Sequence, residues 1–351
     1  MYTETDLQSA VAAGVLSHEA AEALRAHAAG LRSAPVADEE HFRLITGFND
    51  IFVTIAAVLL LAAAGGIGAA IAPGVAGLLI AGAAWGLAEF FTARRRMALP
   101  SIVLLLAFVG GVVAVPVNIL AELDPDMSGQ TAALVGAAIA VGAGLAAWLH
   151  WRRFMVPITV AAGAAAVVAT VLALVLAALE PMVGEDRLEA LLLPLVFAAG
   201  LGVFAFAMRW DMTDPQRETR RSDVAFWLHL LAAPMIAHPL FNWLGVTGGD
   251  NIGAASALGV LAIYVLMGLV ALAVDRRALL VSALAYVLIA MTWLFREFGM
   301  VELNVAITGL VIGSALLCLS AFWSPIRRVV VEQLPAALRA RLPLTMRSAI
   351  A

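Results

Sequence analysis

The sequence contains no lysine and only one cysteine. All 21 basic residues among the 351 are arginines, and only 13% of the residues carry a charge. Because Cys318 has no second cysteine to pair with, an internal disulfide is excluded and a cysteine zinc cluster lacks its ligands. The net charge of −4 indicates no affinity for nucleic acid. Thiol redox chemistry and nucleic-acid binding are therefore not expected, and no residue pattern indicates a cofactor.

Long apolar runs dominate what is present. Apolar residues make up 63% of the chain, compared with about half in soluble domains. Runs of about 18 or more apolar residues are typical of helices that cross a bilayer. Ten such segments are visible, at residues 51–71, 74–91, 100–120, 130–149, 155–179, 190–208, 222–244, 253–274, 278–295 and 304–323. The sequence predicts an all-α, polytopic membrane bundle with about ten transmembrane helices.

Arginines and acidic residues fall in alternate loops between these segments. The arginine-bearing stretches are "ARRR" (93–96), "WRR" (151–153), "QRETRR" (216–221), "DRR" (275–277) and "IRR" (326–328). The other loops are mainly acidic: "ELDPD" (122–126), "EPMVGEDRLE" (180–189), "GGD" (248–250) and "REFGMVE" (296–302). Because basic residues stay in the cytoplasmic loops, both termini are predicted to be cytoplasmic.

Three regions follow from this pattern. Residues 1–45 are expected to form a cytoplasmic tail with a helical hairpin and a polar linker, and Ser17 is placed to cap its second helix. Residues 46–325 form the transmembrane bundle. Residues 326–351 alternate Arg with Val and Leu, which predicts a cytoplasmic amphipathic tail on the membrane surface. Glycines four apart in "GAAWG" (82–86) and "GLVIG" (309–313) indicate close helix packing.

The seventh segment carries unusual polarity for a membrane helix. It contains His229, His238 and Asn242 together with Pro234 and Pro239, which predicts a broken or kinked helix with a polar site. Because polar side chains in a bilayer are costly, a functional role competes with a structural one. Alternatively, neutral histidines hydrogen-bond to neighbouring helices. The histidine spacing matches no metal motif, so neither a metal site nor a catalytic residue is assigned.

The third segment has a matching feature near its acidic-loop end. Asn118 and Glu122 are four residues apart, close to Pro116, and share one helix face. We expect both to line one ligand-binding cavity with His238 and Asn242, since the two pairs lie at similar depth. The alternative is ordinary polarity at a membrane interface.

Three stretches resemble a family of uncharacterised bacterial polytopic inner-membrane proteins. They are "LQSAVAAGVLSHEAAEALRAH" (7–27), "EEHFRLITGFNDIFVTIA" (39–56) and "FWLHLLAAP" (226–234). The resemblance implies a short helical cytoplasmic tail before a membrane bundle in the bacterial inner membrane. An arginine-only basic set with abundant Ala and Gly also suggests a GC-rich bacterial genome.

Three classes of function stay open after these observations. The polar seventh segment favours a transporter or channel for a small solute or ion. The tail favours a sensor or assembly component that binds a cytoplasmic protein partner. A membrane enzyme would need more convergent acid–base or metal groups than the sequence offers. The bilayer is the one partner that the composition indicates, and nothing in the sequence determines the oligomeric state.

Overall fold

The computed structural model describes residues 9–24, 48–123, 127–215, 217, 219–246, 254–297, 304–339 and 341–343, and every regular element in this part of the chain is helical. The chain divides into two compact units, Met1–Arg43 and Leu44–Ala351. In the first unit, residues 9–12 and 18–24 are helical. The backbone N–H of Ala20 donates to Ser17 Oγ, as expected for a capping serine.

Twelve helices are described in the second unit. They are α1 (Phe48–Ile71), α2 (Val75–Ala88, continued by a π-helical stretch Glu89–Arg94), α3 (Ala98–Leu123), α4 (Gly129–Phe154), α5 (Ile158–Val183), α6 (Glu185–Met212), α7 (Arg220–Trp243), α8 (Ala254–Val274), α9 (Ala278–Glu297), α10 (Asn304–Ala321), α11 (Trp323–Glu332) and α12 (Ala336–Arg339). Each of the ten predicted segments overlaps one of the helices α1–α10.

The helices are those of a multi-pass membrane protein. Eight of the described helices, α1–α8, are long and apolar enough to cross a bilayer. A ninth span is counted if the segments Gly309–Ala321 and Trp323–Glu332, which meet at a bend of 75°, form one crossing. In α9 the apolar part, Ala278–Ala290, is shorter. The expected number of about ten crossings is therefore not confirmed.

Consecutive helices pack as antiparallel hairpins. Extensive contacts join α2 to α3, α4 to α5, α6 to α7 and α8 to α9. Each of these hairpins is closed by an arginine-bearing turn, and each turn holds one non-glycine residue with positive φ: Arg96, Met155, Arg217 or Asp275. We call the ends of the helices at these turns the arginine-rich side. It corresponds to the predicted cytoplasmic side.

Helix α7 is the most buried of the eight described helices that could cross a membrane. In its apolar 18-residue stretch, 50% is buried, compared with 17–33% of the corresponding stretches in the other seven helices. It packs against α5, α6 and α9. Leu228 and Ala232 of α7 meet Val203 and Ala207 of α6 in one apolar cluster. Pro234 and Pro239 lie inside this helix, which runs without a break from Arg220 to Trp243.

Close helix packing uses different glycines from those expected. A Cβ atom added at Gly77 of α2 would lie 2.6 Å from the Gly111 carbonyl oxygen of α3, so only glycine allows this approach. No described atom lies within 4 Å of a Cβ built at Gly82, Gly86, Gly309 or Gly313. The expectation that "GAAWG" and "GLVIG" mediate packing within the chain is wrong, because these glycines lie beside open space.

Candidate functional site at the arginine-rich side

A buried ion triad connects α6, α7 and the turn before α9 near the arginine-rich side. The His229 Nε2 atom of α7 lies 2.9 Å from Asp211 Oδ2 of α6. The Asp211 Oδ1 atom accepts a short charge-assisted hydrogen bond from Arg276, which immediately precedes α9. The exposed fractions of Asp211, His229 and Arg276 are 2%, 0% and 3%. The triad is therefore shielded from both lipid and water.

Arg276 also connects the triad to the start of α7. Its Nη2 atom donates to the backbone carbonyl and the hydroxyl oxygen of Ser222, both at 3.1 Å. Asp275, the residue before it, has φ 59°, in the left-handed region that aspartate tolerates better than most residues. The Arg276 N–H donates to the Ala271 carbonyl, which closes the end of α8 as a Schellman motif. This turn carries the Arg276 side chain into the bundle.

A second set of contacts surrounds Asp275. Its Oδ2 atom accepts from Arg217 Nη1 at 2.9 Å, and its Oδ1 atom accepts from Trp323 Nε1 at 2.7 Å. The Arg327 Nε atom of α11 lies 3.6 Å from the same Oδ1 atom. Arg217 also donates to the Val274 and Asp275 carbonyls at 3.0 Å. The turn between α6 and α7 is thereby bonded to the turn between α8 and α9.

We call these residues together the charged network; its members are Asp211, Arg217, Ser222, His229, Asp275, Arg276, Trp323 and Arg327. Three guanidinium groups face two carboxylates within it. Burial lowers the pKa of Arg217, and the positive charge of Arg276 lowers it further. Asp275 opposes this shift, and an arginine keeps its proton under such conditions. The network is consequently a set of fixed charges, and the His229 imidazole joins it through Asp211.

A second buried histidine provides a contrast with His229. His150 of α4 is also 0% exposed, but its ring packs edge-on or tilted against Trp85, Phe108 and Phe154. Its Nδ1 atom lies 3.4 Å from Thr159 Oγ1. His229 also has an edge-on aromatic neighbour, Phe204, at 5.1 Å between ring centroids, but it differs from His150 in contacting a carboxylate.

A small cavity adjoins the charged network between α8, α9 and α10. Its volume is about 190 Å³, and Tyr264, Arg277, Ser320 and Trp323 contribute polar groups to a wall that is otherwise leucine and valine. The Tyr264 hydroxyl is buried and has no hydrogen-bond partner in the described part of the chain. At about 30 Å³ per molecule, the cavity has room for roughly six waters or one small solute.

The other residues predicted to bind a ligand lie outside the charged network. His238 is exposed, and its Nδ1 atom lies 2.7 Å from the Tyr286 hydroxyl of α9. Asn242, one turn further along α7, is half-buried. Asn118 and Glu122 are exposed on α3.

Helices α3 and α7 have different main neighbours. Helix α3 packs mainly against α1, α2 and α4, whereas α7 packs against α5, α6 and α9. The packing therefore gives no support to one cavity shared by His238, Asn242, Asn118 and Glu122. Ligand binding by these residues stays a prediction.

Several network residues escaped sequence reasoning. Asp211, Asp275 and Arg276 lie in or beside arginine-bearing loops, where the positive-inside rule already explains an arginine. One feature of the sequence could have identified them. An aspartate lies directly beside a tryptophan in "RWDM" (209–212) and directly beside an arginine in "DRR" (275–277). Aspartates in loops that otherwise carry arginine indicate pairing.

Neither metal ligands nor known relatives add to this picture. Within the described residues, no group of three or more His, Cys, Asp and Glu side chains is close enough to hold a metal ion. No family model matches the chain, and neither the curated proteins nor the solved structures include a match. The resemblance to bacterial inner-membrane proteins of unknown function therefore stays a prediction.

Proposed function

We propose that this protein transports a small solute or ion across a membrane and that the charged network closes the transport path at the arginine-rich side. The observation that carries the proposal is the buried triad of Asp211, His229 and Arg276 on the most buried helix and its neighbours. A bacterial inner membrane is the location we propose, with the arginine-rich side in the cytoplasm.

The cost of the network favours a function over a purely structural role. Ionisable residues within a membrane bundle are expensive and usually mark ion or solute pathways. A buried ion pair contributes little net stability, because desolvation offsets the attraction between the charges, and apolar residues of similar size often hold helices equally well. A buried pair instead specifies one arrangement of the helices, which suits a gate with a closed state and an open state.

The network could open when water replaces its internal hydrogen bonds. Arg217 lies in the turn between α6 and α7, and Asp275 and Arg276 lie in the turn between α8 and α9, so separating these two hairpins would break their bonds and expose the charges to the cytoplasm. Pro234 and Pro239 weaken α7, since the Leu230 and Met235 carbonyls lose their usual helical donors. These features support α7 as the helix that moves.

The cavity beside Trp323 supports the choice of a small solute. Its polar wall residues Tyr264 and Arg277 are hydrogen-bond donors, which suit a small anion or a solute with acceptor oxygens. A solute in this cavity would contact Trp323, whose indole donates to Asp275. Binding and opening could thus be coupled through one side chain.

Flux in proteoliposomes tests the proposed function. Currents on a solid-supported membrane would be recorded with a panel of probes: chloride, phosphate, acetate, sodium and potassium. We expect a current with at least one probe. We expect Tyr264→Phe to abolish this current. In Asp211→Asn we expect the current to rise by up to about tenfold, since weakening the closed state by ~1.4 kcal/mol shifts the ratio of closed to open molecules tenfold.

His150→Gln is the matched control for this measurement. It replaces an equally buried histidine that lacks a carboxylate partner in its described contacts, so transport should change little among correctly folded molecules. Absence of flux for every probe, or equal changes in flux in Asp211→Asn and His150→Gln, would contradict the proposed function.

A sensor or assembly role remains the second candidate. It is favoured by the division of the chain, in which Met1–Arg43 forms a compact unit separate from the rest. Under this alternative, the tail binds a cytoplasmic protein and the bundle anchors it. Deletion of residues 1–43 distinguishes the two, because flux should persist without the tail if the bundle is a transporter.

A further inference from the structure

A large groove opens on the surface of the bundle between α4, α5 and α6. Its volume is about 870 Å³. Small residues form its floor: Gly144 on α4, Gly163 on α5, Gly202 on α6 and several alanines. Because these residues lack bulk, three long helices leave a trough between them instead of a filled surface.

The wall of the groove offers almost only hydrocarbon. Its two threonines, Thr159 and Thr170, are already engaged: Thr159 Oγ1 lies 3.4 Å from His150 Nδ1, and Thr170 donates to the Ala166 carbonyl at 2.8 Å. An occupant therefore gains dispersion contacts and few hydrogen bonds. This chemistry suits an aliphatic chain.

The length of the groove matches one leaflet. Its wall extends from Thr159 to Leu172 on α5, which is roughly 20 Å at about 1.5 Å per residue. Along α4 it extends from Ala140 to Trp151, roughly 17 Å. The hydrocarbon core of a bilayer is ~30 Å thick, so the groove is slightly longer than one leaflet of ~15 Å and much shorter than the full thickness. A transmembrane helix of a partner would need the full thickness, whereas an acyl chain needs one leaflet.

Cationic and aromatic side chains mark the end of the groove at the arginine-rich side. Trp148 and Trp151 line this end, where amphipathic rings suit the membrane interface. The exposed Arg152 guanidinium lies 5.1 Å from the Trp148 ring centroid. Exposed Arg209 follows the lining residue Phe206 by one helical turn. These charges lie at the level expected for a phospholipid headgroup.

We propose that this groove binds one acyl chain of an anionic phospholipid from the leaflet at the arginine-rich side, with Arg152 contacting the headgroup phosphate. Three features together specify this occupant: the apolar trough, its one-leaflet length and the arginine at its interfacial end. The site is separate from the charged network and does not depend on the proposed transport.

Native mass spectrometry of the purified protein tests the site. Phosphatidylglycerol and phosphatidylcholine with identical acyl chains would be titrated, and the affinity for the first lipid bound would be measured. We expect phosphatidylglycerol to bind more tightly than phosphatidylcholine by at least about fivefold. Both lipids carry the phosphate, but the choline cation opposes the charge of Arg152, and one arginine near an anionic headgroup contributes about that factor.

Gly202→Leu fills the groove. Because a Cβ at Gly202 meets no described atom within 4 Å, the added side chain should occupy the trough without disturbing the helices. We expect at least about fivefold weaker binding of phosphatidylglycerol, by steric exclusion. Gly82→Leu is the matched control, because Gly82 is an equally open helical glycine outside the groove.

Arg152→Gln tests the headgroup contact. It should remove most of the preference for phosphatidylglycerol, while Arg95→Gln should leave that preference unchanged. Arg95 is an appropriate control, because it is likewise exposed and stacked on an aromatic ring, with its guanidinium 5.5 Å from the Phe90 centroid.

Three results would overturn the proposal. The first is equal affinity for the two lipids in the unmodified protein. The second is equal binding by Gly202→Leu and Gly82→Leu. The third is a dimer of this chain that Gly202→Leu dissociates without loss of bound lipid, which would assign the groove to a second copy.

Discussion

At the scale of single residues, two ion pairs in this chain differ mainly in exposure. The Arg276 and Asp211 side chains are 3% and 1% exposed, whereas those of Arg153 and Glu89 are 53% and 37% exposed. Removing one partner of a buried pair leaves a charge without compensation, while an exposed charge is solvated by water. The two pairs should therefore respond very differently to the same substitution.

We expect Arg276→Gln to lower the free energy of unfolding by about 3–5 kcal/mol. Arg153→Gln should lower it by at most about 1 kcal/mol, because water screens the exposed pair. Denaturant unfolding of the protein in detergent measures both values. The double variant Asp211→Asn, Arg276→Gln should recover part of the loss, since no unpaired buried charge remains. Equal costs for the two single variants would contradict the assignment of a buried triad.

Sequence reasoning found His229 but not the residues that hold it. A histidine in an apolar segment stands out, because its burial can be inferred from the segment around it. Asp211 and Arg276 lie at segment ends, where charges are ordinary and burial depends on how separate hairpins meet. Which hairpins contact each other is a long-range property of the fold. Neither the periodicity of the apolar residues nor the charge of the loops determines it.

At the scale of helices, the contact between α2 and α3 depends on two glycines. Gly77 and Gly111 place backbone against backbone, and a Cβ atom at Gly111 would lie 2.8 Å from both the Gly77 carbonyl oxygen and the Ala81 nitrogen. Neither backbone can move without moving its helix. The contact therefore leaves no room for a side chain at Gly77 or Gly111.

We expect Gly111→Ala to destabilise the protein by about 1–3 kcal/mol, the usual cost of overpacking. Gly82→Ala should be neutral or stabilising by up to about 1 kcal/mol, because alanine favours the helix and meets only open space. Thermal unfolding in detergent compares the two variants. A stabilised Gly111→Ala would show that the helices are further apart than described.

Helix positions were largely predictable, whereas their roles were not. The apolar segment 222–244 predicted α7, which runs from Arg220 to Trp243. The same reasoning ended the last segment at residue 323, close to the 75° bend before α11. It did not predict that α11 buries Trp323, Arg327 and Val331, one residue per helical turn. Amphipathic character alone does not distinguish a helix on lipid from one packed on protein.

At the scale of the whole molecule, the predicted membrane orientation rests on loop charge and has a direct test. Met155 precedes α5 in an arginine-bearing turn, and Met182 lies in the last turn of the same helix, with both side chains exposed. In a Cys318→Ser background, Met182→Cys should react with an impermeant maleimide added outside intact bacterial cells. Met155→Cys should react only after the membrane is opened. Reversed labelling would contradict the predicted orientation.

Composition alone does not determine the number of membrane crossings. Ten apolar segments were visible, yet length and hydropathy support eight described spans, or nine with the bent pair. Segment counting could not decide this, because α9 has only a short apolar part and α10 ends at a sharp bend. Nor does chain order reveal that α7 packs against α5 and α9.

The central claim is that the charged network closes one end of a transport path, and cysteine accessibility tests it most directly. Ala225 lies one turn after Ser222 on α7 and is 0% exposed. Ala88 of α2 is equally buried, at a similar distance from its own arginine-bearing turn.

Each of these alanines would be replaced by cysteine in a Cys318→Ser background, with and without Asp211→Asn. The rate of reaction with an impermeant methanethiosulfonate, added from the arginine-rich side, would be measured. We predict that Asp211→Asn accelerates the reaction at Ala225→Cys at least about tenfold, as expected if the closed state loses 1.4 kcal/mol or more, and leaves Ala88→Cys unchanged. Equal rates at Ala225→Cys with and without Asp211→Asn, or a parallel increase at Ala88→Cys, would contradict a gate.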